Sequence, residues 1–161
     1  MNLKSRASVA GHPIHPMLVV FPIGLLVFSF ISDLIYLGGH NLIWSDVAYY
    51  TMAGGIIGAL IAAIPGAIDL FALPSSRART IGFIHMAINL TVVALFAINF
   101  WIRSAADPSS VGPVWLSAIG IGLLVVSGWL GGEMVYVHGV GVGSTETDSN
   151  DVRLHTSTSR R

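Results

Sequence analysis

The chain has 161 residues, 53% of them hydrophobic and only 10% charged, with a formal net charge of zero. Soluble domains carry about a quarter charged residues, so this composition points to lipid as the solvent, and the zero net charge gives no bulk attraction to nucleic acid or acidic substrates. There are no cysteines, which excludes disulfides, thiolate metal sites, cysteine nucleophiles, Cys-held iron–sulfur clusters and covalent c-type haem.

The N-terminal segment places Lys4 and Arg6 ahead of an apolar run, the layout of a signal peptide. His12, Pro13, His15 and Pro16 interrupt the join and no small-x-small cleavage site follows, so the run reads as a retained first span. Crossing the hydrocarbon core as a helix takes about 20 mostly apolar residues. Residues 17–37, 47–70, 81–102 and 114–137 each satisfy this. Backbone groups in lipid must be bonded internally, and runs of this length suit helices rather than barrel strands. The connections 38–46, 71–80 and 103–113 are short, which forces neighbouring spans to be antiparallel. The predicted fold is therefore an all-α membrane protein, an up-down-up-down four-helix transmembrane bundle over residues 1–142. Residues 143–161, rich in Ser, Thr, Asp, Asn and Arg, are expected to form a polar, disordered cytoplasmic tail. No internal repeat stands out.

Lys4, Arg6, Arg77, Arg79, Arg153, Arg160 and Arg161 fall at one end of such a bundle, and only Arg103 at the other. The positive-inside rule then puts both termini in the cytoplasm. Gly54, Gly58, Ala62 and Gly66 recur every fourth residue in the second span, as do Gly128 and Gly132 in the fourth. Small residues at that spacing let helices approach closely, within the bundle or between copies in a homodimer.

Polar groups inside spans are costly and point to function. Here they gather. His12 and His15 precede the first span, Asp69 ends the second, His85 and Asn89 open the third, and Glu133 and His138 end the fourth. An antiparallel bundle brings all of these to one face, the cytoplasmic one by the charge count. Each also has a purely structural reading, as interfacial, capping or ion-paired groups. Asp33, His40 and Asp46 lie toward the opposite face and read as interfacial, and His155 as solvated.

Gly-His-Pro-Ile-His-Pro at 11–16, Leu-Val-Val-Phe-Pro-Ile-Gly at 18–24, Ala-Ile-Pro-Gly-Ala-Ile-Asp at 63–69, His-Met-Ala-Ile-Asn at 85–89 and Gly-Gly-Glu-Met-Val-Tyr-Val-His-Gly-Val-Gly-Val at 131–142 resemble the blocks of a bacterial membrane family, domain of unknown function 2231. The resemblance covers about residues 11–142. It implies a four-span protein of the bacterial inner membrane. Fusions of relatives with Rieske-type iron–sulfur domains hint at electron transfer, and at a Rieske-type or other membrane electron carrier as redox partner.

Three functions are expected to compete. The first is b-type haem in membrane electron transfer, with His85 and His138 as ligands, His15 as substitute, Arg77 and Arg79 on the propionates, and Asp69 or Glu133 orienting an imidazole. The second is a bare transition-metal ion held by some of His12, His15, Asp69, His85 and His138. The third is a transport or accessory subunit whose polar layer relays ions or bonds helices together.

Overall fold

The computed structural model describes residues 5–105 and 113–142. Four helices, all long and apolar enough to cross a membrane, account for most of them: α1 (Ile14–Gly39), α2 (Leu42–Ala72), α3 (Arg77–Ala105) and α4 (Val114–Tyr136). Each of the first three overruns its expected span by several residues in all. The connections shrink accordingly. His40, in the left-handed region at φ 52°, closes α1 by donating its N–H to Tyr36 O at 2.7 Å. Asn41 then caps α2, its side chain accepting from Ile43 N at 3.1 Å. Ser76 does the same for α3, accepting from Arg79 N at 3.3 Å. Gly139, at φ +66°, ends the turn after α4 as a left-handed cap: its N–H bonds Val135 O, and that of Val140 bonds Met134 O. The expected polar tail, 143–161, lies outside the described residues.

Interhelical contacts run in opposite order on neighbouring helices. Against α1, His15 meets Ala62 and Ser29 meets Ala48. Against α4, His85 meets Ser127 and Asn99 meets Ser117. The middle of the bundle is an apolar layer of Leu26, Met52, Val92 and Phe96, packed by Ile121, Leu123 and Leu124 of α4. Outward, large apolar side chains remain exposed on every helix, Trp101 and Trp129 among them. A chain in water buries such a surface; a chain in lipid presents it.

Two features depart from expectation. Residues 8–9 and 12–13 form a small antiparallel β-hairpin, Val9 opposite His12, just before α1. Its turn residues, Ala10 and Gly11, both have positive φ (50° and 81°), as a type I′ turn requires. Strands of two residues are too short to show alternation in a sequence. The second departure is Asp33, expected at the interface but fully buried in the bundle and ion-paired with Arg103.

Candidate functional site

The singled-out residues come from the same end of the bundle, yet they do not form one cluster. Asp69 is taken up by the N-terminal segment. Its Oδ1 accepts the backbone N–H groups of Arg6 (2.7 Å) and Ala7 (2.9 Å), and its Oδ2 the hydroxyl of Ser5 (2.7 Å). Ala7 O in turn accepts Ile14 N, so the carboxylate pins the strand that leads into α1. Asp69→Ala removes the one oxygen, Oδ1, that accepts from both amides. A hydrogen bond to a charged group contributes about 1.5 kcal/mol or more, so hydrogen exchange at Arg6 and Ala7 should rise at least roughly tenfold, with exchange at α4 unchanged. Unaltered exchange at those two amides would show that the latch carries no load.

His12 is exposed and donates its Nδ1–H to Ala10 O at 3.0 Å, within its own turn. Glu133, in the last turn of α4, and His138, just past its end, lie 3.9 Å apart. The Nε2 atom of His138 is buried and lacks a hydrogen-bond partner. Arg77 is exposed at the first residue of α3, and Arg79 lies over the Phe83 ring at 5.7 Å. Neither arginine pairs with Glu133 among the described residues.

His15 and His85 are brought together. Their rings are 6.4 Å apart, centroid to centroid, and almost perpendicular at 86°. They come from α1 and α3, which sit diagonally in the bundle. Each is anchored on a helix beside it. His15 Nδ1 donates to Ala62 O of α2 at 2.8 Å, next to the turn where Pro65 interrupts the backbone ladder. His85 Nδ1 donates to Ser127 O of α4 at 2.9 Å. Asn89, one turn on from His85, donates to His85 O and to Ser127 Oγ, and so fixes the acceptor side of that contact. The carbonyl bonds assign the proton of each neutral imidazole to Nδ1 and leave both Nε2 atoms as lone-pair donors. Helix-borne glycines make room for the rings: a Cβ on Gly66 would lie 2.7 Å from His15 Nδ1, and one on Gly131 3.4 Å from His85 Cε1. The regular glycine spacing in α2 thus serves helix approach and ring placement together.

No group of three or more His, Asp or Glu side chains able to hold a metal ion occurs among the described residues. The five-residue ligand set expected for a bare ion is dispersed over a turn, a latch, a contact between His138 and Glu133, and the paired imidazoles of His15 and His85.

A family model described as a predicted membrane protein, DUF2231, matches residues 11–144. The chain belongs to this family. No curated protein and no solved structure matches it. The DUF2231 match takes in every residue of the facing pair and its anchors, together with Asp69, Glu133 and His138. The contributors that sequence reasoning missed are Ser127 and the carbonyl of Ala62. Neither carries a chemical signal of its own: one is a serine in an apolar span and the other a backbone group.

Proposed function

We propose that this DUF2231 protein is a b-type haem protein of the bacterial inner membrane, acting in electron transfer, with His15 and His85 as the two axial ligands. The observation that carries the reading is the close, nearly perpendicular pair of imidazoles from α1 and α3, each with Nδ1 tied to a carbonyl. Histidines that ligate metals usually hold their other nitrogen in this way. The donor set distinguishes haem from a bare ion. A bare zinc site takes four ligands, whereas a porphyrin brings its own four in-plane nitrogens and asks the protein for axial ones. The pair offers two. His15 of α1 and His85 of α3 would be the residues that hold the iron, their ring centroids lying 6.4 Å apart. When bound, the iron would supply one-electron chemistry, and His15 and His85 would hold it among apolar helices. Arg6, Arg77 and Arg79 at the same end suit the propionates. Their sign, with Lys4, also supports a cytoplasmic site and cytoplasmic termini, facing a soluble or membrane electron carrier.

A second reading, an accessory subunit whose histidines only bond helices together, is favoured by one observation. The space at Gly66 and Gly131 is taken by the imidazoles themselves. An ion relay is less well supported, because the apolar layer of Leu26, Met52, Val92 and Phe96 separates this end from the other polar groups.

The test is an absorption spectrum of the detergent-purified protein, made with ample haem, oxidised and then reduced with dithionite. A Soret band with sharp alpha and beta bands on reduction is expected. A colourless protein that also rejects added hemin would sink the haem reading and leave the accessory one.

A further inference from the structure

Three contacts that join α1 to α2 recur at equivalent positions between α3 and the segment formed by Pro113 and α4. His15 donates to Ala62 O, and His85 donates to Ser127 O. Ser29 donates to Ala48 O, and Asn99 to Pro113 O. Leu26 fills the notch at Gly55, and Phe96 fills the one at Gly120. One constant shift along the chain carries His15, Leu26 and Ser29 of α1 onto His85, Phe96 and Asn99 of α3. A second, slightly smaller one carries Ala48, Gly55 and Ala62 of α2 onto Pro113, Gly120 and Ser127. The difference between the two shifts is a shorter loop: the two hydrogen-bonded pairs span 47 and 19 residues in the first half, 42 and 14 in the second. Through the middle of the helices burial follows the same map. Pro22, Leu26 and Ser29 of α1 correspond to Val92, Phe96 and Asn99 of α3. Met52, Gly55 and Ala62 of α2 correspond to Ser117, Gly120 and Ser127 of α4. Every one of these is buried. Identity is thin but falls at the contacts, as Ile-His at 14–15 and 84–85, Ala-x-Gly-Ile at 53–56 and 118–121, and Gly66 with Gly131.

Equivalent residues of two related halves touch each other only near the axis that relates them. Two such pairs touch here. His15 meets His85, and Asp33 meets Arg103, which the α1-to-α3 shift makes its counterpart. Since α1 and α3 are parallel, the axis runs along the bundle, through both pairs. We infer that the chain is two tandem copies of one αα-hairpin packed as a homodimer packs, and that His15 and His85 form a single composite site on its two-fold axis, taking a metal centre that accepts one imidazole on each of two opposite faces. The ligand class rests on the haem reading above; the duplication and the shared site do not. At the histidine level the halves have kept the same residue, as a ligand with two equivalent faces requires. At the other end they have diverged to opposite charges. Undiverged copies would set two aspartates or two arginines against each other in the apolar interior, so Asp33 with Arg103 ties each hairpin to the other half rather than to its like.

The composite site is tested on the full chain by hemin titration of wild type, His15→Ala, His85→Ala and His138→Ala. Both His15→Ala and His85→Ala should lose the six-coordinate low-spin spectrum to the same extent, and free imidazole should restore it in each. His138→Ala should match wild type. A low-spin spectrum surviving in either of the first two overturns the shared site while leaving haem binding in place. If wild type takes up no hemin, the haem reading fails, and Cu(II) decides the site: an electron paramagnetic resonance signal split by two equivalent imidazole nitrogens, and lost in both variants, upholds it. Wild type that binds neither hemin nor Cu(II) overturns it.

Discussion

Arg103→Leu is expected to be the most damaging single substitution in the bundle. Asp33 is fully buried, and the Arg103 side chain is only 6% exposed. Breaking a buried pair by removing one partner costs about 3–5 kcal/mol, because the other charge is left without compensation. Asp33→Leu should cost less. Arg103 lies in the last turn of α3, and its long stem can carry the guanidinium to the interface; Asp33 has no such reach. The double variant Asp33→Leu with Arg103→Leu should recover most of the loss, since apolar replacement of a whole buried pair is often neutral. Recovery is all the more expected because the pair is imperfectly served: Asp33 Oδ2, Arg103 Nε and Arg103 Nη1 are buried without a hydrogen-bond partner. Unfolding in mixed detergent and SDS would measure this. An Arg103→Leu protein as stable as wild type would show that the charges do not depend on each other.

The second large effect is expected at the close approach of α1 and α2. A Cβ on Gly55 would lie 2.5 Å from Leu26 Cδ2, 2.7 Å from its Cγ and 3.3 Å from its backbone nitrogen. Leu26 is 1% exposed and has nowhere to turn. Gly55→Ala therefore forces the helices apart, at about 1–3 kcal/mol, the usual range for overpacking. Gly120→Ala meets Phe96 Cε2 at 2.6 Å in the equivalent place and should lose a similar amount. Gly24→Ala, with nothing within 4 Å, is the control and should be near neutral or slightly stabilising. Equal stability of all three variants would contradict the packing described for the apolar layer.

Both effects arise from residues whose roles were unequally visible in the sequence. The glycine spacing predicts close helix approach, but not which glycines face a neighbour: Gly55, outside the spaced series, does so closely, while Gly128, within it, has nothing within 4 Å. Asp33 and Arg103 were each visible as charges near a span end, but they lie in different halves of the chain and nothing linked them. The internal repeat is faint in the sequence for a related reason. Its identities are few, and the two halves differ in loop length, so only the shared contact register exposes it.

The sequence by itself determined that this protein is four membrane-spanning helices with antiparallel neighbours, and that its histidines and carboxylates lie mostly toward one end. Those properties follow from long apolar runs, short connections and the position of a residue along its span, all of them additive along the chain. The tertiary structure alone decided which partners meet: His85 with His15 across the bundle, Glu133 beside His138, Asp69 holding the N-terminal strand, Asp33 against Arg103. The physical reason is the solvent. In water, a helix marks its inward face by apolar residues against polar ones. In lipid both faces are apolar, so helix rotation leaves little trace in the sequence. It is set instead by small-residue notches and a few buried hydrogen bonds.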